Sequence, residues 1–286
     1  MFKNLGLTMY MFDIDCSFGY RVHQPSEFIF HLQVAHHPWQ RVYQETLSLS
    51  PDMPIREYED PLLLNRIFRV SAPEGEFELR YKAQVSVDMP YRNPAFNEHA
   101  IADLPSEVLP YLLPSRYCES DLLSNMAQRT FGQIPRGFDR VEAICDWINS
   151  NIAYEVGSSH AATTARDVLA NRAGVCRDFA HLGVALCRAL NIPARFVFGY
   201  AEFQDPPPDF HALFEAYVGD QWVLFDATRM ASIEKIVRIG TGVDAKDVAF
   251  ATIYGNVSMQ YMKPLICEHV EGQAPQFLHQ DDFIGK

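Results

Sequence analysis

The stretch Gly174-Val175-Cys176-Arg177-Asp178-Phe179-Ala180-His181 decides how this chain is read. Apolar residues recur at Cys176, Phe179, Ala180, Val184, Leu186, Cys187 and Leu190, largely at helical spacing, which predicts a helix over 176–190. Asn191 supplies a stop, and Pro193 forbids continuation. The first amides of a helix have no carbonyl of their own to bond and carry partial positive charge. A cysteine placed there is favoured as the thiolate, the nucleophilic form. Cysteines are most often small packed hydrophobes, so Cys176 needs chemical partners before its position acquires a meaning.

Two downstream residues supply them. Phe210 to Val218 and Gln221 to Asp226 are β-prone runs around Gly219-Asp220, the composition of a tight hairpin. A two-residue turn pairs Val218 with Gln221, sets Leu213 opposite Asp226 and sets His211 opposite Thr228. His211 and Asp226 then share a face as diagonal neighbours, about 7–8 Å apart at the backbone, close enough for their side chains to meet. A three-residue loop would send them to opposite faces. A carboxylate bound to one imidazole nitrogen fixes the tautomer and leaves the other nitrogen as a base. With Cys176 added, this is an arrangement for nucleophilic cysteine catalysis. Taken singly, His211 also reads as a strand-end histidine with a local bond, and Asp226 as the start of a turn at Ala227-Thr228-Arg229.

The cysteine motif, its continuation Leu190-Asn191-Ile192-Pro193-Ala194-Arg195-Phe196-Val197-Phe198-Gly199-Tyr200, and the two strands at His211–Tyr217 and Trp222–Asp226 resemble the bacterial transglutaminase-like superfamily. The resemblance spans about residues 119–268, with 240–254 similar to the family's C-terminal part, and is loose over the first hundred. It implies a papain-related core with Cys176 as nucleophile, His211 as base and Asp226 as orienting acid. It also implies a β-rich N-terminal domain. Two positions depart from the family pattern: Leu213 stands where tryptophan is frequent, and Ala227-Thr228 follows Asp226 where proline is frequent. Leu213 is therefore expected to reshape the pocket wall. The calcium dependence of animal-type relatives does not carry over, because their sequence around the cysteine differs.

The remaining sequence fits an α+β protein. Runs at 27–34, 41–49, 64–70 and 77–87 alternate with period two and predict a β-sandwich-like domain over residues 1–90. Prolines at 90, 94, 105, 110 and 114 mark a linker over 91–118. A catalytic domain over 119–286 follows, with helices predicted at 119–131 and 140–152, the latter capped by Asp139. Thr164-Ala165-Arg166-Asp167 reads as a capping box. Strands at 194–201, 212–218, 221–226 and about 257–267 complete a core of helices packed on an antiparallel sheet.

The chain of 286 residues is long enough to bury substantial cores, and 48% hydrophobic with 21% charged residues is an ordinary globular composition. A net charge of −12 without a basic run argues against nucleic acid and anionic membrane surfaces. No signal peptide or apolar span is evident, and six scattered cysteines without CxxC spacing suit a reducing cytoplasm. His36-His37, His160 and His279 lack metal-site spacing, so neither metal nor cofactor is expected. Asp178 is expected to be favoured by the helix dipole or to face solvent, His181 to be structural, and Pro206-Pro207-Pro208 to stiffen the approach to His211.

The expected activity is acyl transfer on a protein or peptide amide through Cys176, His211 and Asp226, with hydrolysis favoured over cross-linking. The alternatives are a protein-glutamine transglutaminase and a non-catalytic scaffold on the same fold.

Overall fold

In the computed structural model, which describes residues 9–88, 92–203 and 209–278, the chain opens on a 14-residue strand, β1 (Met9–Val22). Its alternate residues Phe12, Ile14, Cys16, Phe18, Tyr20 and Val22 are all buried, so one face of the strand is wholly core. This strand lies outside the expected runs, although Phe12 to Val22 alternate with period two. β2 (Ser26–Phe30), β3 (Gln40–Ser50), β4 (Arg56–Glu59), β5 (Arg66–Ala72) and β6 (Gly75–Asp88) follow. Four of these match expected strands. The short β4 is exposed at every residue and carries no alternation signal.

Helices come next: α1 (Ser120–Phe131), α2 (Phe138–Asn151), α3 (Ala165–Asn171) and α4 (Cys176–Ala189). Two-residue strands β7 (Ala153–Tyr154) and β8 (Ala173–Gly174) pair in parallel just before α3 and α4. Gly137, not Asp139, occupies the cap position of α2; Asp139 lies in the first turn, where its charge still favours the helix dipole. The capping box of α3 forms as expected, with Asp167 Oδ2 accepting from Thr164 N at 3.0 Å and Thr164 Oγ1 accepting from Asp167 N at 3.4 Å. Asn191 ends α4 in the left-handed region, φ 62°, a conformation asparagine tolerates.

A four-stranded antiparallel sheet then forms in the order β11-β10-β9-β12 from β9 (Ala194–Tyr200), β10 (Phe210–Val218), β11 (Gln221–Phe225) and β12 (Val237–Gly242). α4 packs on it closely enough that a Cβ at Gly183 would lie 2.5 Å from the Phe214 ring.

The last two strands, β13 (Ala251–Tyr254) and β14 (Val257–Glu268), pair with β2 and β1. They complete two four-stranded sheets, β14-β1-β6-β3 and β13-β2-β5-β4. These are the layers of the expected sandwich. The strand expected near 257–267 is present, but it belongs to the sandwich rather than to the sheet behind α4. The physical reason is the open edge of β1, which lacks a partner on that side until β14 supplies one.

The sandwich core is continuous with one face of the β9–β10 sheet. Phe18, Phe30 and Tyr81 fall in the same buried cluster as Phe196, Phe198, Tyr200 and Phe210. The described part of the proline-rich segment, 92–118, packs on the core: Leu104 and Val108 are buried against Tyr217, and Arg92 pairs with Glu142 at 2.6 Å. Among the described residues, no helix is long and apolar enough to cross a membrane. The expectations for 206–208 and for His279 fall outside the described residues.

Candidate active site

Cys176 is the first residue of α4, held there by the residues on either side of it. Asp178, three residues past the cap, turns back so that its Oδ2 accepts from Val175 N at 2.9 Å. Its Oδ1 accepts from Arg177 Nη2 at 3.0 Å. The carboxylate is fully buried; of its two expected placements it takes the one at the positive end of the helix dipole and not the solvent-facing one, because it binds an orphan amide at the helix start. A glycine must precede: a Cβ on Gly174 would sit 2.9 Å from Asp178 Cβ. The cysteine itself is half-buried while four of the other five thiols are enclosed in core and Cys267 is buried on β14. Its sulfur lies 3.9 Å from Phe210 O.

The hairpin delivers the other two residues. Gly219 and Asp220 take φ 61° and 62°, as a type I′ turn requires. Phe214 pairs with Phe225 and Val218 with Gln221, the register expected for a two-residue turn. His211 Nε2 and Asp226 Oδ2 are 3.0 Å apart, with both side chains almost completely buried. The carboxylate also accepts from Thr228 N at 2.8 Å, Thr228 Oγ1 at 2.7 Å and Ala231 N at 3.2 Å. Asp226 therefore begins the turn and binds the imidazole at once. Burial opposes its charge, but the His211 and Thr228 hydrogen bonds hold its carboxyl below the usual range.

His211 shows the complementary effect. Burial alone would lower its pKa, yet the Asp226 hydrogen bond, with Cys176 beside the ring, raises it to about 10. Because a carboxylate can only accept, Nε2 carries a proton in either charge state. Nδ1 is buried without a hydrogen-bond partner and is the ring nitrogen that Asp226 leaves unused.

Sequence reading missed two further residues. Thr228 orients Asp226, and its place two residues after an aspartate is a readable turn signal. Tyr154, at the end of β7, sets its hydroxyl against Cys176, near both the backbone amide and the sulfur; burial first and Cys176 second raise its phenol pKa. Nothing in the local sequence pattern marks Tyr154, since the β7–β8 pairing is what brings it across to the helix start. Leu213, expected in the pocket wall, is instead buried with Val197, Phe203 and Leu224 in a separate cluster. Its side chain lies on the strand face opposite Ala212, so it does not line the cleft.

Cys176 and His211 open onto a cleft of about 490 Å³ whose lining also includes Arg177, Phe198, Phe250 and Met262, a size that suits a small ligand or a few peptide residues.

Comparison with known proteins gives the same outline. Residues 124–227 match the model of the transglutaminase-like superfamily. The crystal structure of a candidate cysteine protease from Cytophaga hutchinsonii superposes with a TM-score of 0.87 at 39% identity, covering 96% of each chain. An uncharacterized protein of Mycobacterium leprae is 33% identical over 120 residues, 38% of this chain and 42% of the relative. One from Mycobacterium tuberculosis is 32% identical over 116 residues, 35% of this chain and 37% of the relative. The match thus spans about two fifths of the length of these curated relatives.

Proposed function

The chain belongs to the transglutaminase-like superfamily, and on that premise we propose that it is a cysteine-dependent acyl-transfer enzyme acting on protein or peptide amides. The observation that carries this reading is the His211 Nε2–Asp226 Oδ2 bond of 3.0 Å, with Nδ1 buried and unpartnered beside Cys176. Cys176 is the nucleophile, His211 the proton carrier and Asp226 the residue that orients it.

In the reaction, the Cys176 thiolate attacks the amide carbonyl carbon and a C–S bond forms. The negative charge on oxygen is met by the Cys176 amide, which has no partner within its own helix, and by the Tyr154 hydroxyl. Collapse breaks the C–N bond, and His211 gives its Nδ1 proton to the departing amine. His211 then takes a proton from water, which attacks the thioester and releases the acid and the thiol. Hydrolysis is the favoured outcome, in keeping with the description of the Cytophaga hutchinsonii protein as a candidate protease. An amine in place of water would give cross-linking through the same acyl-enzyme. The six unpaired thiols fit a reducing cytoplasm.

The test is the rate of Cys176 alkylation by iodoacetamide at pH 6, followed by peptide mass spectrometry, in the parent and in His211→Ala. Labelling of Cys176 about tenfold or more faster than that of a free thiol in the parent, falling to the free-thiol rate in the variant, is the expected result. The free-thiol rate in both proteins would falsify the Cys176–His211 pair. Release of peptides from a protein substrate, measured against incorporation of a labelled amine, separates hydrolysis from cross-linking.

A further inference from the structure

The cleft beside Cys176 has two chemically different walls. On the helix side, Arg177 is committed to Asp178, to Ser159 Oγ and to the His160 carbonyl, the last two at 2.8 Å. The apolar wall of the lining is Phe198, Phe210, Val248, Phe250 and Met262, with Asp209 next in sequence to Phe210. Acyl transfer needs no such wall. Phe250 and Met262 are only half-buried, so apolar surface stays in water next to the candidate nucleophile, where filling the space would remove it.

That wall is pre-formed. Its strap, residues 243–250, is tied to α4 by Arg188 Nη2, which donates to Val243 O at 2.6 Å, and by Ala245 N, which donates to His181 Nε2 at 3.1 Å. It is tied to the sandwich by His31, whose Nδ1 meets Ala249 O at 3.0 Å and whose backbone N donates to Phe250 O at 3.0 Å. Phe250 further stacks on Phe18 and Phe210, each with ring centroids 5.7 Å apart. A wall braced from two sides binds without first having to be ordered.

We propose that Phe250 and Met262 form a subsite for a large apolar side chain of the substrate residue adjoining the scissile amide. This deepens, and rests on, the acyl-transfer reading. The subsite is built by the strap and by β14, not by the elements that carry Cys176, His211 and Asp226. A polar or charged side chain packed against the Phe250 and Met262 side chains would lose water to groups that form no hydrogen bonds.

The proposal is tested on the full chain with two probes that share one reactive group, iodoacetamide and N-(2-phenylethyl)iodoacetamide. The quantity read is the ratio of their alkylation rates at Cys176, divided by the same ratio for glutathione. Apolar pockets discriminate by about 10- to 200-fold per small group, so a corrected ratio of about ten or more is expected in the parent. Met262→Glu should bring it close to one, and the milder Met262→Ala should lower it partway. Met259→Glu, at a residue 52% exposed on the same strand, should keep the parent ratio. A corrected parent ratio near one, or a high ratio unaffected by both Met262 variants, would overturn the subsite. These ratios are independent of the His211→Ala comparison of iodoacetamide rates at pH 6, whose failure would instead remove the acyl-transfer reading.

Discussion

Two buried histidines, His211 on the hairpin beside the cleft and His181 on α4 behind the strap, sit in environments that drive them in opposite directions. Each has one bonded ring nitrogen and an unpartnered, buried Nδ1. At His211 the partner is a carboxylate, which accepts, so the ring must donate and its pKa rises to about 10. At His181 the partner is the Ala245 amide, which donates, so Nε2 must be bare. Burial holds that ring neutral, at a pKa of about 3, despite nearby Asp244. Burial is common to both. The polarity of one hydrogen-bond partner keeps Nε2 protonated in the first ring and bare in the second, so on the proposed function the first is a proton carrier and the second a strut; a perturbed pKa alone does not mark a catalytic group.

The largest expected effect removes the contrast at its source. Asp226→Asn lets the side chain donate to Nε2 and so favours the other tautomer. Hydrolysis of a responsive amide substrate should fall by about 10²- to 10⁴-fold, the usual weight of general acid–base catalysis. Retention of more than a tenth of the parent kcat would mean the carboxylate is not orienting the base.

A second, smaller effect probes the strut. His181→Phe keeps the ring's volume but leaves Ala245 N buried without an acceptor, which costs about 1–3 kcal/mol. Urea denaturation should register that loss. An unchanged midpoint would show that the strap is held by its other ties.

The two histidines also predict opposite slopes of stability with pH. The folded pKa of His211 lies above the unfolded value of about 6.5. Its contribution is complete below that value and fades as pH rises through about 10. The folded pKa of His181 lies below 6.5, so the unfolded chain binds the extra proton; stability should decline as pH falls from about 6.5 towards about 3. Subtracting the His211→Ala curve from the parent curve should leave a slope confined to the alkaline side. The same subtraction for His181→Phe should leave one confined to the acid side. Matching slopes on one side would erase the distinction.

Gly174→Ala should have the smallest effect. Its Cβ would crowd Asp178 at 2.9 Å and cost about 1–3 kcal/mol through overpacking, visible as a lower melting temperature. The rate of Cys176 labelling by iodoacetamide at pH 6 should survive in the fraction that stays folded.

Much of this was legible in the sequence because it is local. The α4 pattern, the Asn191 stop, the Thr164–Asp167 box and the Gly219-Asp220 turn are each decided within a few residues, and the turn alone sets the register that joins His211 to Asp226. What could not be read depends on partners far along the chain. Asp178 is buried because Val175 N needs an acceptor. Leu213 misses the cleft because its side chain lies on the strand face opposite Ala212. Tyr154 reaches Cys176 only because β7 lies beside β8. β14 joins the sandwich because β1 offers it an edge 235 or more residues away, as in the Val22–Val257 pair.

The sequence by itself thus determined which residues could react and how the hairpin aligns two of them, since hydrogen-bond periodicity and turn geometry are short-range. Only the tertiary structure decided what surrounds them. The strap, Phe250, Met262 and the polarity of each histidine's partner come from surfaces that meet when distant apolar faces are buried together, and no local pattern encodes that meeting.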